Sequence, residues 1–265
     1  MNVLVAIPVY NEARYIPGVV PEVQRYVKDV LVVDDGSTDG STTLLESVGG
    51  VHLIRHAQNL GYGQSLLDAF RYAVCKGKDW LITMDCDRQH EPASIPDFLS
   101  AAATDRWDII SGSRYLRPSE DDALPPPERR VINTEVTALL NEKLGLSLTD
   151  AFCGFKAYRV SRLVELKITE GGYAMPLQLW VHAARRGFRI HEIPVRLIYN
   201  DPNRSFGGPL NDHEYRRRHY LCVLHQALTE SLGTLEGCYC RSVGSEPCEA
   251  VTEVYRRAVG GPSPR

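Results

Sequence analysis

Short apolar runs alternate with longer amphipathic stretches through the first 115 residues. Residues 3–9, 30–33, 51–54, 80–84 and 108–112 are apolar and β-branched and predict strands, whereas 13–26, 39–48, 62–75 and 95–103 carry apolar positions at helical spacing. The strands read as near-continuous apolar runs. That pattern belongs to an α/β fold whose mostly parallel central sheet is covered by helices on both faces. In such sheets ligands gather at the carboxyl ends of the strands, so function is sought in the polar residues that follow each strand.

Past residue 115 the pattern changes. Residues 116–127 (LRPSEDDALPPP) are acidic and turn-rich and read as a surface loop or a flap over a site. Regular elements resume as a helix over 128–144, a strand over 155–159, a helix over 176–186 and a strand over 190–199. A C-terminal amphipathic helix over 212–232 places Tyr220, Leu221, Leu224, Leu228 and Leu232 at three- and four-residue spacing behind Arg216, Arg217 and Arg218. The expected organisation is one domain over 1–210, with a nucleotide-binding half (1–115) and an acceptor-side half (116–210), followed by the helix and a weakly patterned tail over 211–265.

Composition narrows the classes. Apolar residues make up 43% and charged residues 24%, which is globular. Thirty basic against thirty-three acidic side chains argue against a surface built for nucleic acid. No run approaches the length of a membrane-spanning helix, and the N-terminus reads as a strand, not as a leader. With seven cysteines, an odd number, reduced thiols and a cytoplasmic location are expected. Cys238, Cys240 and Cys248 lack the paired spacing of a zinc site.

The polar clusters at strand ends carry the chemistry. Ile7-Pro8-Val9-Tyr10-Asn11-Glu12 follows the first strand, with Pro8 stiffening its exit. Val33-Asp34-Asp35-Gly36-Ser37-Thr38-Asp39 follows the second; Ser37 or Asp39 suits a helix cap, but capping leaves Asp34 and Asp35 unexplained. Adjacent carboxylates at the end of a buried strand repel and need compensation from amides, hydroxyls or a cation. Asp85-Cys86-Asp87-Arg88-Gln89-His90-Glu91-Pro92 follows the strand at 80–84. In an extended D-x-D segment both carboxylates face the same way, and hard divalent ions such as Mg²⁺ and Mn²⁺ take oxygen ligands.

Together with Asn59-Leu60-Gly61-Tyr62-Gly63, Gly112-Ser113-Arg114-Tyr115 and Asp150-Ala151-Phe152-Cys153-Gly154-Phe155, these motifs span residues 3–160 in order. The chain resembles a family 2 glycosyltransferase of the GT-A fold, nearest the polyprenyl-phosphate branch that includes dolichyl-phosphate mannose synthase. The resemblance implies a metal-dependent, inverting transfer of a sugar from a GDP- or UDP-linked donor, preferably to a polyprenyl phosphate. Pro8, Tyr10, Glu12 and Asp35 match positions that hold the donor's base and ribose. Asp85, Asp87 and Gln89 match positions that hold a divalent metal (Mg²⁺ or Mn²⁺) on the donor diphosphate.

On the acceptor side, Arg114, Arg129, Arg130 and Arg204 match segments that hold a lipid phosphate, for which the guanidinium fork is chemically suited. Asp150 would orient those arginines, or act as general base if the acceptor were a sugar or another hydroxyl. Two further readings are a nucleotide-sugar-binding module without turnover and a nucleotidyltransferase. The segment 199–208 does not match the usual acceptor loop, and the transmembrane helices of many such transferases are missing from the sequence. With a lipid acceptor, the arginine triplet at 216–218 would touch an anionic membrane surface peripherally, at its inner face; packing of that helix on the protein's own core is the competing expectation.

Overall fold

The computed structural model describes residues 1–117, 122–123, 125–200 and 206–230. Arg204, Leu232 and the three tail cysteines fall outside the described residues, as do residues 118–121 and 124 of the 116–127 loop. Seven strands, β1 (Val3–Val9), β2 (Asp29–Asp34), β3 (His52–Arg55), β4 (Trp80–Thr83), β5 (Ile109–Ser113), β6 (Lys156–Arg159) and β7 (Ile190–Pro194), make one sheet in the order β3-β2-β1-β4-β6-β5-β7. All neighbours are parallel except β6, which runs antiparallel between β4 and β5.

The near-continuous apolar runs have a simple cause: both faces of the sheet are buried. Leu4, Ala6, Leu31, Val33 and Leu81 point to one core, and Val5, Ile7, Val9, Val30, Val32 and Ile82 point to the other. The first core is covered by α3 (Tyr62–Cys75), α5 (Pro127–Leu144), α7 (Met175–Arg185) and α8 (His213–Thr229). The second is covered by α1 (Ile16–Gln24), α2 (Ser41–Val48) and α4 (Ile95–Ala103). A single turn, α6 (Val160–Leu163), follows β6.

Element boundaries shift where local chemistry intervenes. Residues 13–15 make a turn closed by Tyr15 N–H on the Glu12 carbonyl, so α1 begins at Ile16 with proline in its first turn. Gly40, at φ 91°, delays α2 to Ser41. The expected strand over 190–199 ends at Pro194, where its partner among the described strands, β5, ends opposite it at Ser113. Asp212 caps α8, accepting from Tyr215 N–H at 2.7 Å. Tyr220, Leu224 and Ala227 are buried against the first core, so this helix packs on the protein itself. The arginine triplet is split accordingly: Arg216 is buried, Arg217 pairs with Glu135 of α5 and Arg218 is exposed. It does not form the continuous basic face that a membrane surface would meet. No helix among the described residues is long and apolar enough to cross a membrane.

Candidate active site

The chain turns left from β1 to β2 and β3 and then crosses to β4 on the other side of β1, so the carboxyl ends of β1 and β4 flank the switch point of the sheet. A cavity of about 650 Å³ opens there. Pro8, Tyr10, Glu12, Asp35, Asp85, Asp87 and Gln89, the residues the sequence placed around a donor, line it, and so do Arg114 and Arg129. Arg130 is absent from the wall; its guanidinium lies 3.6 Å from the centre of the Tyr115 ring. Asp150 is fully buried and does not reach the cavity.

The two adjacent carboxylates of β2 separate by strand alternation. Asp34 turns inward, accepting from Ser37 N–H at 3.0 Å and from the Thr42 hydroxyl at 2.5 Å, and is a structural clamp. Asp35 faces the cavity, accepting from Leu60 N–H at 2.8 Å, Gly61 N–H at 2.9 Å and His56 Nδ1 at 2.6 Å. The first and second motifs are laced together: Thr38 N–H donates to Asn11 Oδ1, Asn11 N–H to Ser37 and Glu12 N–H to Ser41. Asn11 holds this position at φ 57°.

His56 bridges Asp35 to Asp68, with Nε2 at 3.2 Å from the second carboxylate. Its hydrogen bonds to Asp35 and then Asp68 raise its pKa to about 9, outweighing burial. A raised folded-state pKa contributes stability that is complete below about pH 6.5 and lost as pH rises through about 9. Thermal melts should therefore show the melting temperature falling between pH 7 and 9.5, and His56→Gln should flatten that slope; equal slopes would refute the bridge.

The D-x-D loop is held from behind. His90 Nδ1 accepts from Asp85 N–H at 2.9 Å, and burial lowers its pKa to about 4, so the ring is neutral at pH 7 and keeps that acceptor. Asp87 accepts from Gln89 N–H at 2.9 Å, and Arg88 turns the loop at φ 60°, a left-handed conformation characteristic of functional turns. Tyr62 is hydrogen-bonded to Asp85, and burial and then that carboxylate raise its pKa well above the ordinary value, so it remains a donor. Gly154 makes room for both: a Cβ there would meet the Tyr62 hydroxyl at 2.6 Å and Asp85 Oδ2 at 2.9 Å.

Those donors suit a hard divalent cation. Two carboxylates and a carboxamide on one loop supply oxygen only, and Gly154 keeps the ground beside Asp85 clear. Among the described residues no group of three His, Cys, Asp or Glu closes a cage, so further ligand positions fall to substrate oxygens or water.

Arg114 and Asp150 form a bidentate pair, Nε–Oδ2 at 2.6 Å and Nη2–Oδ1 at 2.9 Å. Asn133 adds a hydrogen bond to Oδ1 at 2.8 Å and Arg114 N–H one to Oδ2 at 3.2 Å. Burial acts to raise the Asp150 pKa, but the Arg114 charge and these hydrogen bonds override it and hold the carboxyl well below the usual range. Glu192, its own pKa raised by burial, accepts from the Thr149 and Asp150 amides and fixes the loop.

Sequence reasoning did not single out Tyr62, His90, Asn133, Gly154, Phe206 or Arg216 for these places. His90 and Tyr62 lie inside the motifs and carried a signal; Asn133, Phe206 and Arg216 reach the site only through tertiary packing.

Residues 4–166 match the family model "Glycosyl transferase family 2". An undecaprenyl-phosphate mannosyltransferase of Micrococcus luteus is 33% identical, covering 77% of this chain and 87% of its own length. A polyprenol monophosphomannose synthase of Mycolicibacterium smegmatis is 31% identical over 72% and 76%. The crystal structure of glucosyl-3-phosphoglycerate synthase from Mycobacterium tuberculosis with Mn²⁺, UDP and glucosyl-3-phosphoglycerate superimposes with a TM-score of 0.66 at 18% identity, covering 87% of this chain and 81% of that one. That likeness concerns the fold, which is the GT-A arrangement. Six ordered motifs gathered around one strand-end cavity, a family match over most of the chain and two relatives above 30% identity agree: the chain belongs to glycosyl transferase family 2.

Proposed function

We propose that this glycosyltransferase moves a sugar from a nucleoside diphosphate donor to a polyprenyl phosphate, with inversion and with a divalent cation. The observation that carries the reading is one cavity lined both by an oxygen-donor loop and by arginines with aromatic rings. The acceptor class is supported by the names of the two relatives, both of which are synthases or transferases of polyprenyl-linked mannose.

Pro8, Tyr10, Glu12 and Asp35 would hold the nucleoside, and Asp85, Asp87 and Gln89 would hold the cation. A bound cation would offset the negative charge that builds on the diphosphate as the glycosyl bond breaks. Arg114 and Arg129 would draw the acceptor phosphate into the cavity, and the aromatic wall of Phe152, Tyr173, Phe206 and Tyr220 suits the first isoprene units. A phosphate is already an anion at neutral pH and needs placement more than deprotonation. The alternative, a hydroxyl acceptor with Asp150 as base, is disfavoured by the geometry: Asp150 is off the cavity wall, both its oxygens are engaged and its pKa is depressed. Work at the inner face of a membrane follows from the acceptor, not from the arginine triplet.

The test is a thermal-shift screen of GDP- and UDP-sugars with and without Mn²⁺. Binding to the folded state stabilises by mass action, about 2.7 kcal/mol at a hundredfold excess over Kd. The true donor should raise the melting temperature, and more with Mn²⁺ than without. No shift with any nucleotide sugar would defeat the donor assignment.

A further inference from the structure

Arg216 is the one cationic side chain on the cavity wall whose charge the assignments above leave without a task. It is 4% exposed and lines the cavity from α8. Its hydrogen bond runs from Nη1 to the Leu210 carbonyl at 2.8 Å, leaving Nε and Nη2 outside that contact. Among the described residues no carboxylate comes within ion-pair distance of it, whereas Arg114, Arg159, Arg162, Arg189 and Arg217 each have an acidic partner. Burial lowers its pKa and the Arg129 charge acts in the same direction, against smaller raising effects of Tyr220, Glu128 and Tyr199.

The placement concentrates positive charge. Arg216 and Arg129 each lie 4.6 Å from the centre of the Phe206 ring, so the two guanidinium carbons are within twice that distance of one another. A ring face and a carbonyl compensate a buried cation only in part. Arg216, facing the cavity that Arg114 and Arg129 also line, is completed by an anion, and its planar fork matches phosphate oxygens.

We propose that Arg216 of the C-terminal helix is a phosphate-binding residue that, with Arg129 across Phe206, grips the acceptor phosphate opposite the Asp85–Asp87 loop. This rests on the phosphate-acceptor reading above and adds to it: α8, whose arginines looked like a membrane face in the sequence, supplies an inner wall of the site. It also assigns Phe206 a part, since the ring holds both guanidinium groups in place before the anion arrives.

The test compares the full chain with Arg216→Met, which keeps the apolar stem, with Arg216→Lys, which keeps the charge but loses the fork, and with Arg217→Met as a control on the same helix. Calorimetric titration measures affinity for three probes: farnesyl phosphate, inorganic phosphate, and UDP or GDP with Mn²⁺. Arg216→Met should weaken farnesyl phosphate binding at least about tenfold, as expected for loss of a charge-assisted contact, with Arg216→Lys intermediate and Arg217→Met unchanged. Nucleotide affinity should move less than about twofold, and the melting temperature should hold or rise, because a buried and only partly compensated cation has been removed.

A structural arginine would lower the melting temperature and leave the probe ratio unchanged; that result overturns the proposal. Equal weakening of nucleotide and farnesyl phosphate would place Arg216 on the donor and overturn it as well. Binding of inorganic phosphate as tight as farnesyl phosphate, lost together in Arg216→Met, upholds the anion contact but moves its source from lipid to free phosphate. If the wild-type chain binds nucleotide but no phosphate probe, the acceptor reading itself fails, and that failure is visible before any variant is made. Should Arg216→Met not fold, Arg216→Lys against the wild-type chain decides on the same ratio.

Discussion

Asp87→Ala is expected to lower sugar transfer by about a thousandfold or more while the protein still folds. The carboxylate lines the cavity as one of the two acids of the D-x-D triplet, and inside the protein it accepts from Gln89 N–H. Three decades of rate correspond to about 4 kcal/mol of lost transition-state stabilisation, within what a charge-offsetting cation supplies. Losing the local hydrogen bond from Gln89 costs about 1 kcal/mol, or roughly 2–4 °C for a domain of this size. Single-turnover rates with saturating donor, alongside a thermal melt, check both halves. Wild-type turnover in the variant would remove the cation loop from the mechanism.

The second large effect concerns stability. Asp150→Ala leaves Arg114 buried without its bidentate partner and strips Asn133 of an acceptor, a loss of about 3–5 kcal/mol for breaking a buried ion pair from one side. At roughly 2–4 °C per kcal/mol the melting temperature should fall by at least about 6 °C. The pH dependence has a definite sign. A carboxyl whose folded pKa is depressed stabilises above its unfolded value, near 4, and loses that contribution only as pH falls below it. The wild-type advantage over Asp150→Ala should therefore be constant from pH 5 to 8 and shrink below about pH 4. In Asp150→Asn, acceptor KM should rise more than the maximal rate falls, because the residue positions Arg114. A collapse of the maximal rate at unchanged KM would instead restore the general base.

Much of this was legible in the sequence, for reasons specific to the residues. The strands were readable because both sheet faces are buried, which writes uninterrupted runs such as Leu31–Val33 into the chain. The strand-end residues that line the cavity were readable because α/β sheets put ligand sites at strand exits, and the D-x-D loop leaves the end of β4. What alternation does to two neighbouring acids was not: only the ladder shows that Asp34 turns to Thr42 and Asp35 to the cavity. Arg216 was unreadable for a different reason. Its role depends on α8 folding back against α5 and α7 and on Phe206 standing beside it, relations among segments far apart in the chain. Nothing local separates Arg216 from Arg217 and Arg218.

The reversed direction of β6 has a mechanical consequence. Because that strand runs against its neighbours, it brings its entrance, with Asp150 to Phe155, to the rim where β4 and β5 have their exits. Three consecutive ribbons thus carry the D-x-D loop, Asp150 and Arg114, spaced about 4.8 Å apart by main-chain ladders. That spacing is as stiff as the sheet, so the gap between the two reacting groups is set by the scaffold before either arrives. Among the described residues the bank around Phe206 and α8 has no such ladder beneath it, being held to the sheet by side-chain packing instead.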